Sequence, residues 1–134
     1  MNLTRVAQVT HVLLRVVAGV LLLQHGGQKL FGWFGGMGMT PGATVPLMSE
    51  MGLAGVLEFL GGTLVALGLF TRPVAFVLAG ELAVAYFQSH QPHGAWPIQN
   101  HGELAALYSF IFLFLAAHGA GGFGLDTLRR RGAR

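Results

Sequence analysis

Apolar residues fill four stretches of the chain, at residues 9–34, 45–70, 73–88 and 102–120, and each is broken by only one or a few ionisable side chains. The second stretch starts at either residue 45 or residue 51. A helix needs about 20 residues to cross about 30 Å of hydrocarbon, so the first, second and fourth stretches are long enough to span a bilayer. The third is the shortest. It still reads as a span, because residues 74–87 contain one charge and no breaker except Gly80. Thr71-Arg72-Pro73 places proline at a helix start, where its missing N–H does no harm. Asn100 and Glu103 have the spacing of a capping box at the head of the fourth stretch, and the glycines of 119–124 end it. The pattern predicts an all-α, up-down-up-down bundle of four transmembrane helices, one domain over residues 1–134.

Residues 16–23 have the length of a signal-peptide core. However, Gln24-His25-Gly26-Gly27 is not a small-x-small cleavage site and Lys29 follows it, so the first stretch is expected to be retained. The loops set the orientation. Arg5, Arg72 and the C-terminal arginines 129, 130, 131 and 134 fall on one side, whereas loops 35–50 and 89–101 carry no Lys or Arg. That asymmetry is the positive-inside pattern of an even number of spans, with both termini cytoplasmic and the chain multi-pass in the cytoplasmic (inner) membrane.

Composition supports the same picture. The chain is 53% hydrophobic and only 10% charged, with a mean hydropathy of +0.61; soluble domains carry about 25% charged residues, so this surface does not face water. The 21 glycines follow no collagen-type period and serve helix contacts and turns. A net charge of +3 resembles a nucleic-acid signal, but the dense basic cluster is a tail beside a membrane helix. Such a tail sets topology or contacts anionic lipid, and no nucleic-acid partner is expected. The absence of cysteine excludes disulfide exchange, thiolate metal sites and a Cys nucleophile within this chain. No phosphate loop, HExxH, GxSxG or dinucleotide fingerprint is present.

Ionisable groups in hydrocarbon are expensive and mark function or tight helix pairing. At 100° per residue, Lys29 and His25 fall about 40° and 80° from Arg15, on a face filled by Ala18, Gly19, Leu22 and Gly26. Glu58 shares its face with Ala54, Gly55, Gly61, Gly62 and Val65, and Glu81 with Val77, Ala85 and Gln88. Glu103 is followed on its face by Leu107, Phe110, Phe114 and Ala117. Depth, at about 1.5 Å per residue, suggests an inner ion pair, Arg15 with Glu81, and an outer cluster of His25, Lys29, Glu58 and Glu103. Two readings stand. These groups are ion pairs that lock the helices in register, or the outer cluster lines a pocket for a quinone head group, a proton or a small solute. The outer loop holds His90, His93 and His101, imidazoles able to bind Zn, Cu or Ni, although the spacing matches no defined metal motif. The plainer reading is a solvated loop anchored by Trp96 at the interface.

Arg15-x3-Gly19 followed by Gln24-His25-Gly26-x2-Lys29-Leu30-Phe31-Gly32 is similar to the first-span pattern of the DoxX family of small membrane proteins. Glu58-x2-Gly61-Gly62-x5-Gly68-Leu69-Phe70-Thr71-Arg72 resembles its second block. Gly102-Glu103-x3-Leu107-Tyr108 and Gly121-Gly122-Phe123-Gly124-Leu125-Asp126 resemble its final span and ending. The resemblance implies a four-helix membrane bundle linked to membrane redox chemistry, as in quinone-linked oxidase, thiosulfate:quinone oxidoreductase and oxidative-stress systems. It places Arg15, His25, Lys29, Glu58 and Glu103 at the family's polar positions; Glu81 rests on the depth argument alone.

Three functions follow: a quinone-interacting accessory subunit of a membrane oxidoreductase, a non-enzymatic structural or assembly protein, and a conduit for protons or a small solute. The first calls for quinone as cofactor and a redox partner protein. The third calls for a homo-oligomer, because four short helices leave little room for a pore.

Overall fold

The computed structural model describes residues 3–133, so Arg134 of the basic tail lies outside the described residues. Its helices are α1 (Leu3–Phe31), α2 (Glu50–Leu67), α3 (Thr71–Ala85), the single turn α4 (Pro97–Asn100), α5 (Glu103–His118) and α6 (Leu125–Gly132). No strand forms among the described residues, only an isolated bridge between Gly36 and Ala43. The all-α expectation holds.

Four long helices stand antiparallel to their neighbours. α1 packs most closely on α2, and α3 on α5. Glycine explains the first of these contacts. A Cβ on Gly19 would lie 2.6 Å from the Gly62 carbonyl oxygen, and one on Gly62 would lie 2.6 Å from that of Gly19. The two backbones therefore touch where neither residue has a side chain, the small-residue contact typical of helices in lipid. In the second pair, the Ser109 hydroxyl of α5 donates to the Ala79 carbonyl of α3 over 2.9 Å. The core between the pairs contains Ala18, Leu22, Val65, Leu78, Phe112 and Leu115, all buried.

The outer surface is apolar instead of polar. Leu13, Leu53, Phe76 and Phe110 are 57%, 60%, 65% and 71% exposed, one on each long helix. Exposed apolar area on this scale belongs against lipid. α1 and α2 are long and apolar enough to cross a membrane, whereas α5, with 16 residues, is shorter.

Several boundaries differ from expectation. α1 begins at Leu3, not near residue 9, and stops at Phe31, where Gly32 (φ +72°) turns the chain. Trp33 then folds back, its ring 5.7 Å from that of Phe59 and packed over Gly27. α2 starts at Glu50, one residue from the later of its two expected starts, capped by the Ser49 hydroxyl, which accepts the Gly52 N–H at 3.0 Å. α3 continues without a break into a wide π-type turn, Tyr86–His90. The capping box at α5 does not form. Asn100 sits three residues before Glu103, but its side-chain oxygen accepts the Gly102 N–H at 2.8 Å, and Gly102 itself heads the helix.

Candidate functional site

At the end of the bundle away from both termini, all four long helices contribute to one polar cavity of about 300 Å³. α1 supplies His25 and Lys29, α2 Glu58, α3 Glu81, and α5 Tyr108. The wide turn after α3 brings His90 to the rim beside His101. Turns of this type often accompany functional sites, because the extra residue redirects side chains.

Lys29 and Glu58 form a direct ion pair, Nζ to Oε2, at 2.5 Å, with both side chains largely shielded from solvent. Gly55, one turn before Glu58, leaves room for α1 to bring the Lys29 stem alongside; a Cβ on Gly55 would sit 3.2 Å from that of Lys29. Glu81 faces the same cavity with one carboxyl oxygen, Oε2, buried and without a hydrogen-bond partner among the described residues. A buried polar atom left unpaired costs free energy, so a site that keeps one favours any ligand able to pair with it.

The outer cluster expected from depth is therefore corrected at one position. His25, Lys29 and Glu58 converge, but Glu103 does not join them. It is exposed at the first turn of α5, where its charge complements the helix N-terminus. Leu107, Phe110 and Phe114, expected to share an interior face with it, are 60%, 71% and 40% exposed and face outward. Glu81 takes the vacated place.

The Arg15–Glu81 pair is a second correction. Arg15, 3% exposed, donates from Nη1 to the carbonyls of Ala120 (2.5 Å) and Phe123 (2.7 Å), and from Nη2 to that of Ala66 (3.4 Å). It lies at the level where α2 and α5 end. Glu81 is ten residues beyond the start of α3, about 15 Å further along the bundle.

The histidine loop is held by Asn100, which is 3% exposed. Its amide donates to the Gly94 carbonyl (2.9 Å) and the Tyr86 hydroxyl (3.2 Å), while His90 Nδ1 pairs with the Asn100 carbonyl (3.2 Å). His90 and His101 reach the cavity; His93 is exposed and outside it. Among the described residues no three His, Asp or Glu side chains come together to hold a metal ion, so the three loop histidines do not assemble as a metal site.

Sequence reading missed Asp126. From the first turn of α6 its carboxylate accepts the N–H groups of Phe70 (2.9 Å) and Thr71 (3.0 Å), so it caps α3 from 55 residues away, and its own N–H donates to the Gly68 carbonyl (2.8 Å). Gly68, at φ +70°, provides the left-handed turn that exposes these groups. Partial burial alone would raise the Asp126 pKa, but the Thr71 and Phe70 N–H donors, with Arg130 nearby, outweigh it and hold the carboxyl below its usual 3.8. A depressed folded-state pKa gives stability that is complete above the unfolded value and lost as pH falls through the folded one. Asp126→Asn is thus expected to lower thermal stability in detergent at neutral pH, with the gap to wild type closing below pH 3.8. A gap that stayed constant on acidification would show that the carboxylate charge is not what caps α3.

A helical bundle with an apolar exterior and ionisable groups gathered in an interior cavity is a membrane protein. Within that class, a DoxX family profile matches residues 10–91, and the chain belongs to the DoxX family. The matched region contains Arg15, His25, Lys29, Glu58 and Glu81; the blocks around Glu103 and Asp126 lie beyond it. The chain is also similar to an uncharacterized protein of Haemophilus influenzae, 40% identical over 117 residues that cover 85% of this chain and 86% of the relative. No solved structure matches.

Proposed function

We propose that this DoxX protein is a four-span bundle of the cytoplasmic membrane, one domain with both termini cytoplasmic, whose polar cavity binds a quinone head group near the outer face beside a redox partner. The unbroken helical backbone from Thr71 to His90 supports a third span, and the arginines of α6 suit anionic headgroups on the cytoplasmic side.

The observation that carries the reading is the unpaired, buried Oε2 of Glu81 across from the Lys29–Glu58 pair. Quinones carry carbonyl acceptors and their reduced forms hydroxyl donors. Lys29 and His25 offer N–H donors to the first; an ionised Glu81 accepts from the second, and a protonated one donates to the first. A bound quinone would supply two-electron, two-proton chemistry. This chain's part is to orient the ring and hold exchangeable protons on Glu81 and Glu58. The sequence has no motif for an electron carrier of its own, which suits an accessory role.

Titration of the purified protein with a benzoquinone bearing a ten-carbon chain is expected to give saturable quenching of tryptophan fluorescence. Glu81→Gln should weaken binding about tenfold, the scale of one hydrogen bond to a charged group. Quenching that never saturates, and is identical in the variant, would sink the reading. The directness of the Lys29–Glu58 contact favours a second reading, in which the charges only hold α1 to α2.

A further inference from the structure

The polar cavity is not closed on the side of α2 and α3. Met51, Ala54, Glu81, Ala85 and Ser89 line it and also line a second cavity of about 600 Å³ between those two helices. Leu57 and Val77 carry this second cavity into a third, of about 280 Å³, whose walls are wholly apolar side chains of the same helices as far as Leu64 and Pro73. The seam between α2 and α3 is therefore hollow over most of its length, whereas the α1–α2 seam is closed by backbone contact at Gly19 and Gly62. Along the hollow seam the lining changes from ionisable at Glu81 to purely aliphatic at Leu60 and Val74. Leu60 and Val77 are 56% and 50% exposed on the lipid-facing surface.

We propose that this seam is a lateral doorway from the bilayer, and that the apolar tail of the ligand lies in it while the head group occupies the polar cavity. The proposal rests on the quinone reading and adds where the tail goes and from which side the ligand arrives. An amphipathic molecule with one small polar end and one long aliphatic end matches the polarity gradient of the three joined cavities, in order. A small water-soluble solute would leave the two lower cavities unused. In lipid the gain comes from van der Waals fit of the tail to the groove, because transfer from acyl chains to an apolar wall carries no hydrophobic driving force.

The test compares two probes on the full-length protein in detergent, by calorimetry: a benzoquinone ring without a side chain, and the same ring with a ten-carbon chain. Wild type should bind the tailed probe about tenfold more tightly than the tail-less one. Val77→Trp, which fills the join between the two lower cavities, should remove that advantage and leave tail-less binding unchanged. Leu113→Trp, on the lipid face of α5 away from all three cavities, should change neither. If Val77→Trp weakens both probes together, Leu60→Trp decides: it lies further from Glu81 and should reduce only the tailed probe. The doorway is overturned if the tail confers no advantage on wild type, or if the advantage survives both tryptophans. Failure of the tail-less probe to bind wild type would overturn the head-group reading as well, so the two failures are distinguishable.

Discussion

Arg15→Ala is expected to be among the most damaging single substitutions in the chain, lowering stability by about 3 kcal/mol. The guanidinium is buried and ties three backbone carbonyls together, those of Ala66 at the end of α2 and of Ala120 and Phe123 in the loop after α5. Truncation leaves these acceptors without a donor, in a place where Gly68 and Gly124 have no side chains to fill the space; a Cβ on Gly124 would lie 2.6 Å from the Arg15 Nη1. The loss also reaches α3, because Asp126 can cap Phe70 and Thr71 only while the loop before α6 is held in place. Arg15→Lys should recover only part of the loss, since one ammonium cannot reproduce a planar fork with several donors. Thermal unfolding in detergent, followed by circular dichroism, reads both variants. Equal stability of wild type and Arg15→Ala would show that the carbonyls find other partners and that the lock is not structural.

How far this was legible in sequence depends on whether a feature is local. The helical period places Gly19, Gly26, Gly55 and Gly62 on contacting faces, and depth along the consecutive, antiparallel, glycine-rich α1 and α2 brings Lys29 towards Glu58. Depth was harder. Apolar runs mark where hydrocarbon begins, not where a helix does, and α1 extends six residues below residue 9 to Leu3. α1 thus projects past the turn between α2 and α3, and Arg15, twelve residues beyond Leu3, is level with Ala66 at the end of α2 and not with Glu81. Glu103 failed for another reason: α5 is apolar on every side, with Phe110 outside and Phe112 inside, so periodicity had no contrast from which to choose a face. Arg15 reaches the Ala120 and Phe123 carbonyls across more than a hundred residues, and Asp126 reaches the Phe70 and Thr71 N–H groups across about 55; both pairings run through backbone groups, which side-chain patterns do not encode. The hollow α2–α3 seam depends on side-chain volumes at several positions together and left no signal in any one of them.

Lys29→Met separates the two readings of the cavity, and its effect should be as large as that of Arg15→Ala. It strands Glu58, a buried carboxylate whose 2.5 Å partner is gone, and breaking a shielded pair from one side costs about 3–5 kcal/mol. The double variant Lys29→Met with Glu58→Leu removes both charges and should regain most of that loss, because well-packed apolar side chains replace a buried pair at little or no cost. The coupling energy of this cycle should therefore be several times the 0.5 kcal/mol expected of independent sites. Ligand binding is where the readings part. If the pair only fastens α1 to α2, the refolded double variant keeps every property of wild type. If the cavity recognises a quinone head group, the double variant is as stable as wild type yet fails to bind the probe, since the N–H donor of Lys29 is lost while Glu81 remains. A stable double variant that binds normally would assign Lys29 and Glu58 to architecture alone and leave Glu81 and His25 as the cavity's remaining polar contacts.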